Sequence, residues 1–73
     1  MTTQEAFARG IERVWHNYHE AFATLLQTDH TDADVVRFET LEDVLMAMTG
    51  REAKSLRNRA AQRANQRAVA LVG

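Results

Sequence analysis

The 73-residue chain contains no cysteine and no proline, only three glycines, and a single tryptophan and tyrosine. Without cysteine it builds neither a disulfide framework nor a thiolate metal site, and a reducing compartment is permitted. No apolar run approaches the roughly 18 residues that a bilayer span requires. The start Met-Thr-Thr-Gln-Glu has no basic segment followed by an apolar one, so a signal peptide is not expected and a cytoplasmic location is. With three glycines, a glycine-rich phosphate loop is excluded as well. What remains is 45% hydrophobic and free of helix breakers, a composition that argues against disorder and for one helical domain. A chain this short buries only about 60% of its unfolded surface, which makes support from a partner or from self-association an expectation.

Charge is divided at Gly50. Residues 1–50 hold nine acids against three arginines, a net of -6, and residues 51–73 hold six cations against Glu52, a net of +5. The six are Arg51, Lys54, Arg57, Arg59, Arg63 and Arg67. Like charges gathered without internal counter-charges repel until an anionic partner neutralises them, so these residues are the candidate binding residues. The partner expected for them is an acidic protein surface or a nucleoprotein complex, with nucleic acid an alternative and no membrane contact.

Hydrophobic periodicity gives an all-α fold, a small bundle of three main helices at about 3–27, 40–48 and 51–71. In the first, Thr2 and Glu5 have capping-box spacing. Phe7, Ile11, Trp15, Tyr18, Phe22 and Leu25 then recur at steps of three and four, with Val14 and Leu26 widening the stripe. Gly10 lies inside this helix, where a close approach of another backbone and simple tolerance are equal explanations. Thr31 and Asp34 make a second capping pair. Near 32–38 the run Val35-Val36-Arg37-Phe38 has strand-like residues but no second strand to pair with, so a short helical or extended segment is expected there. Thr40 is placed as the cap of the next helix, with Leu41, Val44, Leu45 and Met48 facing the core. Thr49 and Glu52 are placed as a capping box opening the third helix, whose inward arc of Ala53, Leu56, Ala60, Ala61, Ala64, Ala68 and Leu71 is mostly small. Arg59, Arg63 and Arg67 stack at i, i+4 and i+8 beside that arc.

Catalytic chemistry finds few groups. His16 and His19 stand at i,i+3 beside Glu20 without an identifiable third metal ligand. Asp29, His30, Asp32 and Asp34 lack the glycine and distal glutamate of a calcium loop. Ser55 has no histidine near it in sequence and there is no cysteine nucleophile. No enzyme activity, metal or cofactor is expected.

Four resemblances bear on the function. The run Asn58-Arg59-Ala60-Ala61-Gln62-Arg63-Ala64 resembles the DNA-contacting basic region of fungal AP-1-like bZIP factors. This implies Asn58 at base edges and Arg59 and Arg63 at bases or phosphates. Leu41 to Met48, a turn at Gly50 and the following helix are similar to a helix-turn-helix, which would direct Glu52, Ser55 and Arg59 toward a groove. In size, lack of cysteine and helical make-up, the chain looks like small phage-encoded proteins that bind bacterial RNA polymerase and alter initiation or termination. That likeness implies a non-enzymatic regulator of transcription as the leading expectation. The order of helix, short middle segment, helix and basic tail also loosely resembles gpW-like head-completion proteins, which implies a small virion joining protein as a further alternative.

Overall fold

The computed structural model describes residues 2–72, which form three helices: α1 (Thr3–Leu25), α2 (Asp32–Thr49) and α3 (Ala53–Val72). No strand occurs among the described residues. Contacts pair Phe22 and Tyr18 of α1 with Phe38 of α2, and Tyr18 with Glu42 further along it, so these helices run antiparallel. Trp15 meets Arg59 and Glu20 meets Arg67, so α3 returns alongside α1 in the same direction. The topology is up-down-up with short connections.

Two of the three expected capping boxes form. Thr2 Oγ1 accepts the Glu5 amide at 3.2 Å while Glu5 Oε2 accepts the Thr2 amide at 3.4 Å. Thr31 Oγ1 accepts the Asp34 amide at 3.3 Å, and Asp34 Oδ2 accepts the Thr31 amide at 2.8 Å. Each box satisfies two amides that the first helical turn leaves without partners. In the connection between α1 and α2, the His30 ring nitrogen Nδ1 donates to the Gln27 carbonyl at 2.7 Å.

The middle of the chain departs from expectation. Residues 32–49 make one unbroken helix, so 34–38 is neither extended nor separate from residues 39–49. No glycine or proline interrupts it, and burying Phe38 against Tyr18, ring to ring at 4.9 Å, outweighs the few tenths of a kcal/mol by which valine and phenylalanine disfavour a helix. Thr40 is therefore mid-helix and caps nothing; its hydroxyl donates to the Val36 carbonyl at 2.8 Å. Thr49 closes α2 and opens nothing. Its hydroxyl donates to Leu45 O at 2.6 Å and accepts the Arg51 amide at 3.2 Å, which leaves no capping box with Glu52. Gly50 stops the helix in the left-handed region at φ 70°, a conformation that a β-carbon would strain, with its amide on Met46 O at 2.9 Å.

The core is Tyr18, Ala21, Phe38, Leu45, Leu56 and Ala60, with Val14, Trp15, Phe22, Leu25 and Leu41 packed around it. Ala21 and Ala60 let helices approach closely. Val44, expected inside, is 40% exposed because the inward arc of α2 runs through Phe38, Glu42 and Leu45, and Val44 stands about 100° or more round the helix from each. The inward place expected of Leu71 lies outside the described side chains. The apolar stripe of α1 outruns the body: Phe7 is 59% exposed, and Gly10 has nothing within 4 Å of where a β-carbon would stand, so no close backbone approach accounts for it. A radius of gyration of 13.5 Å, against about 11 Å for a compact chain of this length, reflects helix ends that project past the core.

Candidate anion-binding edge

A carboxylate inside the bundle decides which cations remain for a partner. Glu42 is buried at the junction of all three helices. It accepts the Tyr18 hydroxyl at 2.8 Å on Oε2, and Arg57 grips it with Nε on Oε2 and Nη2 on Oε1, both at 2.8 Å. The bidentate fork, supported by the Tyr18 bond, holds the Glu42 carboxyl below the usual glutamate range despite its burial. Burial and then the Glu42 carboxylate push the Tyr18 phenol far above its usual 10.0. Arg57 also lies 5.6 Å from the Phe38 ring centroid. Its guanidinium, itself about half exposed, thus ties α3 to α2 and is engaged by an internal carboxylate.

The other five expected binding residues fall into two places. Arg51 and Lys54 are exposed at the start of α3, where with Asn58, Arg59 and Gln62 they line a shallow outward cleft. Arg59, Arg63 and Arg67 face α1. Arg59 lies over the Trp15 ring at 4.6 Å from its centroid, a cation–π contact that positions the guanidinium, which has no carboxylate partner among the described residues. Arg67 reaches Glu20 at 3.2 Å, with both side chains about half exposed, so the pair is weak and water-accessible. Arg63 has no carboxylate partner among the described residues.

Between these arginines sits His19, which the sequence places at i,i+3 from His16 without a third metal ligand. Its ring packs on Trp15 at 5.4 Å, and its Nε2 is buried without a hydrogen-bond partner among the described residues. Burial, followed by the charges of Arg63, Arg59, His16 and Arg67, lowers its pKa from the usual 6.5, which keeps the ring neutral at pH 7. The signal was available in the spacing, since Trp15, His19, Phe22 and Leu26 recur at steps of four, three and four. Two hollows meet at His19 and Arg63. One of about 250 Å³ holds Glu12, Trp15, His16 and Arg59; the other, about 220 Å³, is floored by Ala23, Leu26, Ala60, Ala64 and Ala68 and edged by Arg67.

The bZIP-like run is divided by this packing. Ala60 is buried in the core, Asn58 and Gln62 are exposed on the outward cleft, and Arg59 and Arg63 face α1. Fold and site define a small three-helix protein with a cationic seam. The chain matches no protein-family model, and neither a curated protein nor a solved structure matches it.

Proposed function

We propose that the protein is a small non-enzymatic regulator that docks the α1-facing edge of α3 on an acidic surface of a large protein or nucleoprotein machine, bacterial RNA polymerase being the machine that the type resemblance suggests. The observation that carries this reading is the division of the cations. Arg57 is engaged within the fold, while Arg63 has no carboxylate partner among the described residues and Arg59 is held in place by an aromatic ring. Cations fixed by a packed helix suit a shaped acidic surface, because less side-chain freedom is lost on docking. Glu12 and Glu20 along the same seam oppose a continuous phosphate backbone. The test is retention of partners from bacterial lysate on immobilised protein, before and after nuclease. A large protein retained after nuclease and released by Arg59→Glu with Arg63→Glu is the expected result; failure to retain any partner refutes the reading.

A second reading, direct DNA binding through α3, draws on the outward cleft of Arg51, Lys54, Asn58 and Gln62. It requires the affinity for random duplex DNA to fall steeply with salt, with a log–log slope corresponding to about four or more neutralised phosphates. A flat response removes it.

A further inference from the structure

The hollow beyond His19 differs from the rest of the seam. Its floor is alanine with Leu26, which is itself 63% exposed, and its volume of about 220 Å³ is that of one large side chain. Cations stand on one rim only: Arg63, without a carboxylate partner among the described residues, and Arg67, whose bond to Glu20 is half-exposed. The buried Nε2 of His19, lining the same hollow, has no partner within the described residues. Phosphates gain nothing from an alanine floor, and a wholly polar acidic surface would leave it empty. An occupant complementary to both halves carries carboxylates beside an apolar anchor. A groove between two aligned helices accepts such a segment as a helix laid along it.

We propose that this hollow receives the apolar anchor side chain of an acidic helical segment of a partner protein, with the segment's carboxylates meeting Arg63 and Arg67. This rests on the docking reading above and adds what the partner must present.

The test uses a labelled helix-forming peptide of about 16 residues, built of glutamate and alanine with one central phenylalanine. Its binding to the full chain is measured by fluorescence anisotropy beside the same peptide with alanine at the centre, poly-glutamate, and duplex DNA. The phenylalanine peptide is expected to bind at least about tenfold more tightly than its alanine counterpart, the scale of burying one aromatic side chain. Ala68→Leu fills the hollow from an exposed position, and helicity by circular dichroism verifies its fold. It is expected to remove the tenfold advantage and leave poly-glutamate binding unchanged, while Arg63→Glu weakens both. Equal binding of the two peptides and poly-glutamate overturns the anchor proposal and leaves acidic docking standing. Binding of none of the acidic probes overturns both. Preferential binding of DNA overturns both in favour of the second reading. Self-association of the chain, abolished by Ala68→Leu, overturns the proposal by assigning the hollow to a second copy.

Discussion

Replacing Glu42 with alanine removes an acceptor from a phenol that is 0% exposed. The Tyr18 hydroxyl, now bonded at 2.8 Å, would be left buried without a partner, at a cost of about 1 to 3 kcal/mol. Arg57 contributes less to the loss, because its side chain is 54% exposed and relaxes into water; half-exposed ion pairs contribute at most about 1 kcal/mol. The sum is about 3 kcal/mol, most of what a single core in a chain of this length supplies. Glu42→Gln keeps an acceptor for the phenol and is expected to cost about 1 kcal/mol, the ion-pair part alone. The decisive variant is Tyr18→Phe in two backgrounds. In the wild type it removes a hydrogen bond to a charged acceptor and destabilises by about 1.5 kcal/mol. In Glu42→Ala it removes the orphaned hydroxyl itself and is expected to restore about 1 kcal/mol, a change of sign. Urea unfolding followed by circular dichroism at 222 nm measures all four corners of the cycle. Equal destabilisation by Tyr18→Phe in both backgrounds would refute the reasoning, since it would mean that the phenol and the carboxylate are energetically independent.

Acid is expected to unfold the protein in two stages. The folded-state pKa of His19 lies below 6.5, so the unfolded chain takes up its proton first; stability is full above about pH 6.5 and falls as pH drops toward the folded value. Glu42, depressed below its usual 4.5, contributes stability above that pH that is lost as pH falls through its folded value. Melting temperature against pH measures both, and His19→Gln should abolish the first stage and keep the second. The two described glycines should respond with opposite signs. Gly50→Ala forces a β-carbon into φ 70° and costs about 1 to 2 kcal/mol, whereas Gly10→Ala, in open helix, gains about 0.5 to 1 kcal/mol by chemical denaturation.

How far the sequence anticipates the fold depends on how local each signal is. The capping boxes of α1 and α2 and the α1 stripe from Val14 to Leu25 arise within a few turns of helix, and the structure contains them, whereas the box expected at Thr49 and Glu52 is absent because Thr49 closes α2. Val35-Val36-Arg37-Phe38 invites an extended reading because its propensity is local, whereas the packing of Phe38 on Tyr18 that keeps it helical comes from twenty residues away. Glu42 was not legible at all. On a helical wheel an acid points outward, and this one points inward only because Tyr18, 24 residues earlier, and Arg57, 15 residues later, converge on it. The same distance hid the division among the cations, since nothing in the run from Arg51 to Arg67 distinguishes the arginine engaged by Glu42 from those without a carboxylate partner among the described residues. His19 was legible in principle by its place in the aromatic stripe, but its unpartnered nitrogen depends on how α3 lies across α1.

The engagement of Arg57 inside the fold bears directly on what the remaining arginines do. A basic helix attached to an acidic body by a turn at Gly50 is free to swing unless something fixes it, and Leu56 and Ala60 alone bury little area for that purpose. The bidentate clasp on Glu42 supplies direction as well as energy, because a planar guanidinium bonded through two nitrogens sets the rotation of α3 about its own axis. Two residues further on, the Arg59 guanidinium lies over Trp15, and one turn after that Arg63 borders His19. The spacing between the clasp and the seam is covalent, so α3 cannot satisfy Glu42 without presenting the other arginines along α1. One arginine of the basic run therefore orients the helix, and the exposed ones are left to meet a partner.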